Sequence, residues 1–112
     1  MYNVLVLGAT GMLGQMVKNL LTKDNRFNIV PTSTTFQDSY AYYNVLDGIE
    51  KFEKIMNSQK PPFNYIINCI GVLSKNIDDK DSKSVCRAIQ INSLFPHELS
   101  LLAMETGSRV IH

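Results

Sequence analysis

The stretch Gly8-Ala9-Thr10-Gly11-Met12-Leu13-Gly14 places three glycines three residues apart, after Val4-Leu5-Val6-Leu7 and before Met16-Val17. The run over residues 3–7 is short, continuously apolar and rich in β-branched side chains, which is how a strand covered on both faces of a parallel sheet reads. From Met12 the period changes. Met12, Leu13, Met16, Val17, Leu20 and Leu21 recur at helical spacing, with Lys18, Asn19 and Lys23 opposite, and predict a helix over 12–22. Strand, glycine turn and helix make the first half of a βαβ unit.

The alternation continues along the chain. Phe27, Asn28, Ile29 and Val30 read as a second strand stopped by Pro31, and the hydroxyl-rich tract 32–40 as a loop. A short third strand is expected near Tyr42 and Tyr43. Asp47 and Glu50 have the spacing of a capping box with Asp47 as N-cap. They open a helix striped by Ile49, Phe52, Ile55 and Met56, which Lys60-Pro61-Pro62 ends. Residues 65–71 form another buried strand closing on Gly71, and the polar residues 74–83 read as a surface loop. A long helix is expected over 84–106 through Val85, Ala88, Ile89, Phe95, Leu99, Leu102 and Ala103, with Leu94, Leu101 and Met104 off its main face. Gly107 suits the left-handed position past its end, and a further strand begins at Ser108. Strands alternating with helices predict an α/β fold, a Rossmann-like doubly wound parallel sheet of about five strands.

In such a fold each glycine has a separate use. Gly8 permits the tight turn, Gly11 lets backbone approach a pyrophosphate, and Gly14 lets helix pack closely on strand. The anion is held by the free N–H groups and dipole of the helix N-terminus. The spacing is GxxGxxG rather than GxGxxG, and its placement between strand and helix makes it a candidate dinucleotide turn.

Composition excludes other classes. With 112 residues the chain is one small domain, and a net charge of +1 offers no case for nucleic acid or a membrane surface. There is no basic lead for a secretory signal and no apolar run long enough to span a bilayer, so a cytoplasmic protein is expected. Cys69 and Cys86 are too few and too far apart for a disulfide framework or zinc cluster, and no metal site is expected.

Taken together, the motifs resemble the extended short-chain dehydrogenase/reductase superfamily, and within it the dTDP-4-dehydrorhamnose reductase branch of nucleotide-sugar reductases. Besides the glycine turn, Asn44-Val45-Leu46-Asp47 is similar to a segment bordering adenine. Asn68-Cys69-Ile70-Gly71 resembles the segment closing the fourth strand beside the cofactor, and residues 91–99 resemble the helix carrying an active-site Asn, here Asn92. The resemblance implies phosphate contacts from the backbone of Thr10, Gly11, Met12 and Leu13. It implies adenine contacts from Asn44 and Val45, and a ribose and nicotinamide wall from Cys69, Ile70 and Gly71. Asn44 stands where the family has Asp, and an amide there can still accept and donate. Asn92 would help organise a water-mediated proton relay to a catalytic lysine.

Read singly, several of these residues also admit plain structural roles. Asn44 suits a strand end, Asn68 a backbone partner, Cys69 a small buried hydrophobe, and Cys86 helix packing; His97 and His112 have no partners at ligand spacing. Pro96 cannot donate to the carbonyl four residues back, so in a regular helix it would leave the Asn92 carbonyl free, or simply kink the helix.

The expected cofactor is NAD or NADP. An acid at the end of the second strand binds the ribose 2′-hydroxyl, and an Arg there accommodates a 2′-phosphate. The segment 30–37 has neither, leaving the hydroxyls of Ser33 and Thr34. The missing acid favours NADP, and the missing base weighs against it. The family's Tyr-x-x-x-Lys, in which tyrosine protonates the carbonyl oxygen, does not occur in the 112 residues. They are expected to be the cofactor half of a longer reductase acting on a nucleotide-sugar substrate, binding cofactor weakly or not at all and inactive alone. Two alternatives are an epimerase or dehydratase on the same fold, and a non-catalytic NAD(P)-binding regulator. The apolar excess on helix 84–106 suggests a homo-oligomer.

Overall fold

The computed structural model describes residues 1–112. In chain order it comprises β1 (Tyr2–Leu7), α1 (Met12–Thr22), β2 (Phe27–Ser33), β3 (Ala41–Tyr42), a 3-10 turn (Val45–Asp47), α2 (Ile49–Ser58) and β4 (Tyr65–Asn68). A second 3-10 turn (Ser74–Asn76), α3 (Ser82–Ile89), a π-helical segment (Gln90–Leu94), α4 (Phe95–Thr106) and β5 (Arg109–Ile111) follow. The strands form one parallel sheet in the order β3-β2-β1-β4-β5. The chain builds outward from β1 to β3, then returns to lay β4 on the other side of β1. The order therefore reverses at β1, and the crevice beyond the carboxyl ends of β1 and β4 is the topological switch point.

The central position of β1 explains its unbroken apolar run. Val4, Leu5, Val6 and Leu7 are essentially fully buried, and successive residues point to opposite faces. Leu5 and Leu7, with Ile66 of β4, meet Phe52 and Met56 of α2 and Phe95, Leu99 and Ala103 of α4 in the larger core. Val4 and Val6 lie on the other face, against Val17 and Leu21 of α1.

Helix α1 follows its sequence prediction in extent but not in the face it buries. Met12 is 87% exposed, Leu13 57%, Met16 59% and Leu20 68%. The cause is Gly14, the helix's one buried residue. A Cβ there would collide with the Gly8 carbonyl oxygen and come within 2.8 Å of the Ala9 Cα. So close an approach selects the seam through Gly14, Val17 and Leu21, and turns the rest of the apolar stripe outward.

Three further expectations are corrected. Strand β2 runs through Pro31 to Ser33. The Thr32 carbonyl accepts from Ala9 on the β1 side, whereas the Ser33 carbonyl accepts from Tyr43 on the β3 side. Pro31, two residues before Ser33, therefore turns its missing donor toward β3, which pairs only from Thr32 onward. Asp47 does not cap α2: the N-cap is Gly48, at φ 102°, and the Asp47 carboxylate accepts from the Tyr42 hydroxyl at 3.1 Å. The long helix is continuous but widens over Gln90–Leu94, where the Phe95 N–H donates to the Gln90 carbonyl five residues back. That shift leaves Pro96 in the first turn of α4, where its missing donor is tolerated.

Two stability tests follow. Gly14→Ala is expected to cost about 1–3 kcal/mol, the range for forcing atoms into a filled site, as a lower midpoint in urea. Tyr43 has a fully buried hydroxyl with no hydrogen-bond partner, while its ring packs 5.4 Å from Phe52 and 5.8 Å from Phe95. Tyr43→Phe keeps those contacts and removes the unpaired group, so the same measurement is expected to show unchanged stability or a gain of up to about 1 kcal/mol.

Candidate functional site

The turn between β1 and α1 is built by its glycines in three different ways. Gly8 has φ +70°, and a Cβ on it would meet the Cys69 backbone at 3.2 Å. Its N–H donates to the Thr32 Oγ1 at 3.3 Å. Gly14 is required by packing. Gly11, the N-cap of α1, has ordinary extended geometry, φ −72° and ψ 171°. A Cβ there would meet nothing closer than the Gly8 carbonyl oxygen at 3.5 Å, a normal contact. Nothing inside the protein requires Gly11 to lack a side chain.

Around Gly11 the main-chain donors are unpaired. The Gly11 N–H turns back to the Gly8 carbonyl and the Gln15 N–H to the Gly11 carbonyl, while those of Thr10, Met12, Leu13 and Gly14 donate to no other group in the chain. They form a cluster of N–H groups at the positive end of an eleven-residue helix, opening at the switch point. An anion such as a pyrophosphate satisfies such donors, so the residues present fit a dinucleotide.

Beside this turn lies a cleft of about 250 Å³ lined by Thr34, Asn44, Val45, Leu46, Ile70, Gly71, Val72, Arg87 and Ile91. Ile70 joins the two features, since its side chain also lies against Gly8. Asn44 caps the 3-10 turn, its Oδ1 accepting from the Leu46 N–H at 3.0 Å. A larger apolar recess of about 330 Å³ lies on the α1 side of the sheet among Tyr2, Val4, Phe27, Tyr65 and Ile67. It has no convergent polar groups, and its one charged residue, Arg26, is paired with Asp24 at 2.7 Å. The smaller cleft, next to the glycine turn and carrying polar groups, is the candidate site.

The structure brings most of the sequence candidates together: the glycine turn on one side, Thr34, Asn44 and Val45 beyond it, and Ile70 and Gly71 on the facing wall. Ser33 stands apart. It is buried, and its hydroxyl bonds with the Thr35 hydroxyl and accepts from the Thr35 N–H, both at 3.1 Å, so only Thr34 of the pair faces the cleft. Cys69 is half-buried against the smaller core, and burial pushes its thiol above the ordinary value. Cys86, expected to pack, is exposed.

Asn92 reaches the site through its side chain. Its Oδ1 accepts from the Val72 N–H at 2.8 Å and its Nδ2 donates to the Val72 carbonyl at 2.9 Å. Both ends of the amide are thus spent on the loop leaving β4, holding Gly71 and Val72 at the rim. Asn68 steadies the same loop, its Oδ1 accepting from the Ile70 N–H at 3.1 Å. Sequence reasoning missed Arg87, Val72 and Ile91 as cleft residues, because no local pattern distinguishes them from other positions of a loop or an amphipathic helix.

Among known proteins, no family model and no curated protein matches the chain. Solved structures do. A hypothetical dTDP-4-dehydrorhamnose reductase from Sulfolobus tokodaii superposes with a TM-score of 0.76 at 19% identity, over 100% of this chain and 38% of that one. A short chain dehydrogenase family protein from Francisella tularensis gives 0.74 at 16% identity, over 98% and 49%. The ligand-free aldohexose dehydrogenase of Thermoplasma acidophilum gives 0.74 at 15%, over 94% and 44%. At these identities the likeness is one of architecture. The chain shares a Rossmann-like α/β fold with them, and it spans about two-fifths to half the length of these structures. No helix is long and apolar enough to cross a membrane.

The two cysteines give a direct test. The thiolate is the reactive form, and a raised pKa leaves less of it at neutral pH. Alkylation at pH 7 followed by peptide mass analysis is expected to modify Cys86 well before Cys69. Equal rates would show that Cys69 is not shielded as described.

Proposed function

We propose that residues 1–112 are the nicotinamide-dinucleotide-binding part of an oxidoreductase that reduces a 4-keto nucleotide sugar, in nucleotide-sugar or cell-surface polysaccharide biosynthesis. The observation that carries this reading is the set of unpaired N–H groups around Gly11, a position that carries no Cβ although the folded chain has room for one. The substrate assignment is the finer step. It is supported by the order of four sequence motifs and by a likeness of fold to proteins that include a reductase of that name.

In this reading the backbone of Thr10, Gly11, Met12 and Leu13, with the Gly14 N–H, receives the pyrophosphate. Thr34 faces the adenosine ribose, Asn44 and Val45 border the adenine, and Cys69, Ile70 and Gly71 form the wall on the nicotinamide side. Asn92 acts through Val72, keeping that wall in place. The bound nicotinamide supplies the hydride. The proton donor and the substrate-binding surface come from outside these residues, which hold no Tyr-x-x-x-Lys. Of the two outcomes the sequence leaves open, weak cofactor binding or none, the unpaired N–H groups favour weak binding, without turnover.

Gly11→Ala tests the reading. Because an alanine Cβ fits the folded chain at that position, the variant is expected to stay folded and to lose no more than about 1 kcal/mol, the cost of a poorer N-cap. It is also expected to lose most of its affinity for NADH and NADPH, followed by amide chemical-shift titration at millimolar nucleotide. Undiminished binding, or no binding by the unmutated chain, would refute the proposal.

A further inference from the structure

The cleft beside the glycine turn contains one charge. Five of its lining residues are apolar, Asn44 is engaged with the 3-10 turn, and no carboxylate lines it. Arg87 is the exception. It comes from the last turn of α3, far in sequence from the segment at the end of β2. Its side chain makes no ion pair, since the single one in the chain is Arg26 with Asp24. It makes no hydrogen bond to any other protein group either, so all five guanidinium N–H donors are available. Its helix face is set by packing: Ile91, four residues on and on the same side, is buried in the larger core and lines the same cleft.

Thr34 lies in that cleft at the end of β2, where a carboxylate would accept from a ribose 2′-hydroxyl and repel a 2′-phosphate. A threonine hydroxyl does not repel a phosphate. The residue that would attract one is absent from the local segment but present in space. We propose that Arg87 is the cofactor-specificity residue: its guanidinium, entering the adenosine end of the cleft from α3, binds the ribose 2′-phosphate and makes the site selective for NADP(H) over NAD(H). A guanidinium suits this task because its fork of donors matches phosphate oxygens two at a time and stays charged at every relevant pH. The inference rests on the cofactor reading above and adds to it a selection that the β2 segment alone does not supply.

The test uses the whole 112-residue chain. Dissociation constants for NADPH, NADH, adenosine 2′,5′-bisphosphate and adenosine 5′-monophosphate are measured by calorimetry or amide shifts, at low and high salt. NADPH and the bisphosphate are expected to bind more tightly than their counterparts, with a preference that shrinks as salt rises. Arg87→Met, which keeps most of the apolar stem, is expected to weaken NADPH about ten- to hundredfold, the size of a hydrogen bond to a charged group, and to leave NADH nearly unchanged. Arg87→Lys should retain part of the preference. Equal or tighter binding of NADH by the unmutated chain would overturn the role of Arg87 and leave the cofactor reading standing. So would an Arg87→Met variant that holds NADPH as before or loses both nucleotides alike. Failure of the unmutated chain to bind any of the four would instead remove the cofactor reading itself.

Discussion

Helix α1 lies against the turn that precedes it so closely that the contact tolerates no Cβ at Gly14. Much of the rest follows from this contact. It brings the helix onto the end of β1, narrows the buried seam to Gly14, Val17 and Leu21, and leaves a broad apolar face outside. It also leaves the first N–H groups of the helix beyond the carboxyl end of β1, without an internal acceptor. Gly8, in the left-handed region, lets the chain reverse tightly enough for the contact to form. A turn with ordinary side chains would hold the helix farther off, and the donors would no longer converge.

The facing wall depends on a different device. The loop leaving β4 has little regular structure of its own, yet it must stay close enough to Gly8 to bound a cleft. Asn92 pins it through two hydrogen bonds to one residue, and Asn68 through a third. The π segment is what carries Asn92. One extra residue in the turn rotates the helix surface beyond it, so α3 and α4 present different faces to their surroundings. Phe95, Leu99 and Ala103 can then fill the larger core while Asn92 bonds Val72 and Arg87 lines the cleft.

Element order, parallel topology and the glycine turn were all legible in the sequence, because strand and helix periods alternate without ambiguity and the glycines fall where one period yields to the other. The misreadings have a common origin. Hydrophobic spacing marks Met12, Met16 and Leu20 as a helix stripe, but spacing reports amphipathicity and not which part of an apolar face meets the sheet. Asp47 has the spacing of a cap, yet Tyr42 offers its carboxylate a hydroxyl while Gly48 takes the cap position in a conformation open to glycine. Pro31 reads as a stop signal unless one knows that β3 is too short to need its missing donor. Each of these outcomes depends on a neighbour distant in the chain or on a packing distance.

The sequence by itself determined the fold, the location of the helix start beyond β1, and the residue types around it, since these follow from local period, local conformation and the unique freedom of glycine. Only the tertiary structure decided which of two adjacent hydroxyl residues, Ser33 or Thr34, faces the cleft, that Asn92 acts through its side chain on Val72, and that Arg87 lines the same cleft as Thr34 from a separate helix. The physical reason is that a binding cleft at a switch point is assembled from strand ends and a helix that meet only when the sheet forms. No pairwise spacing along the chain encodes their distance in space.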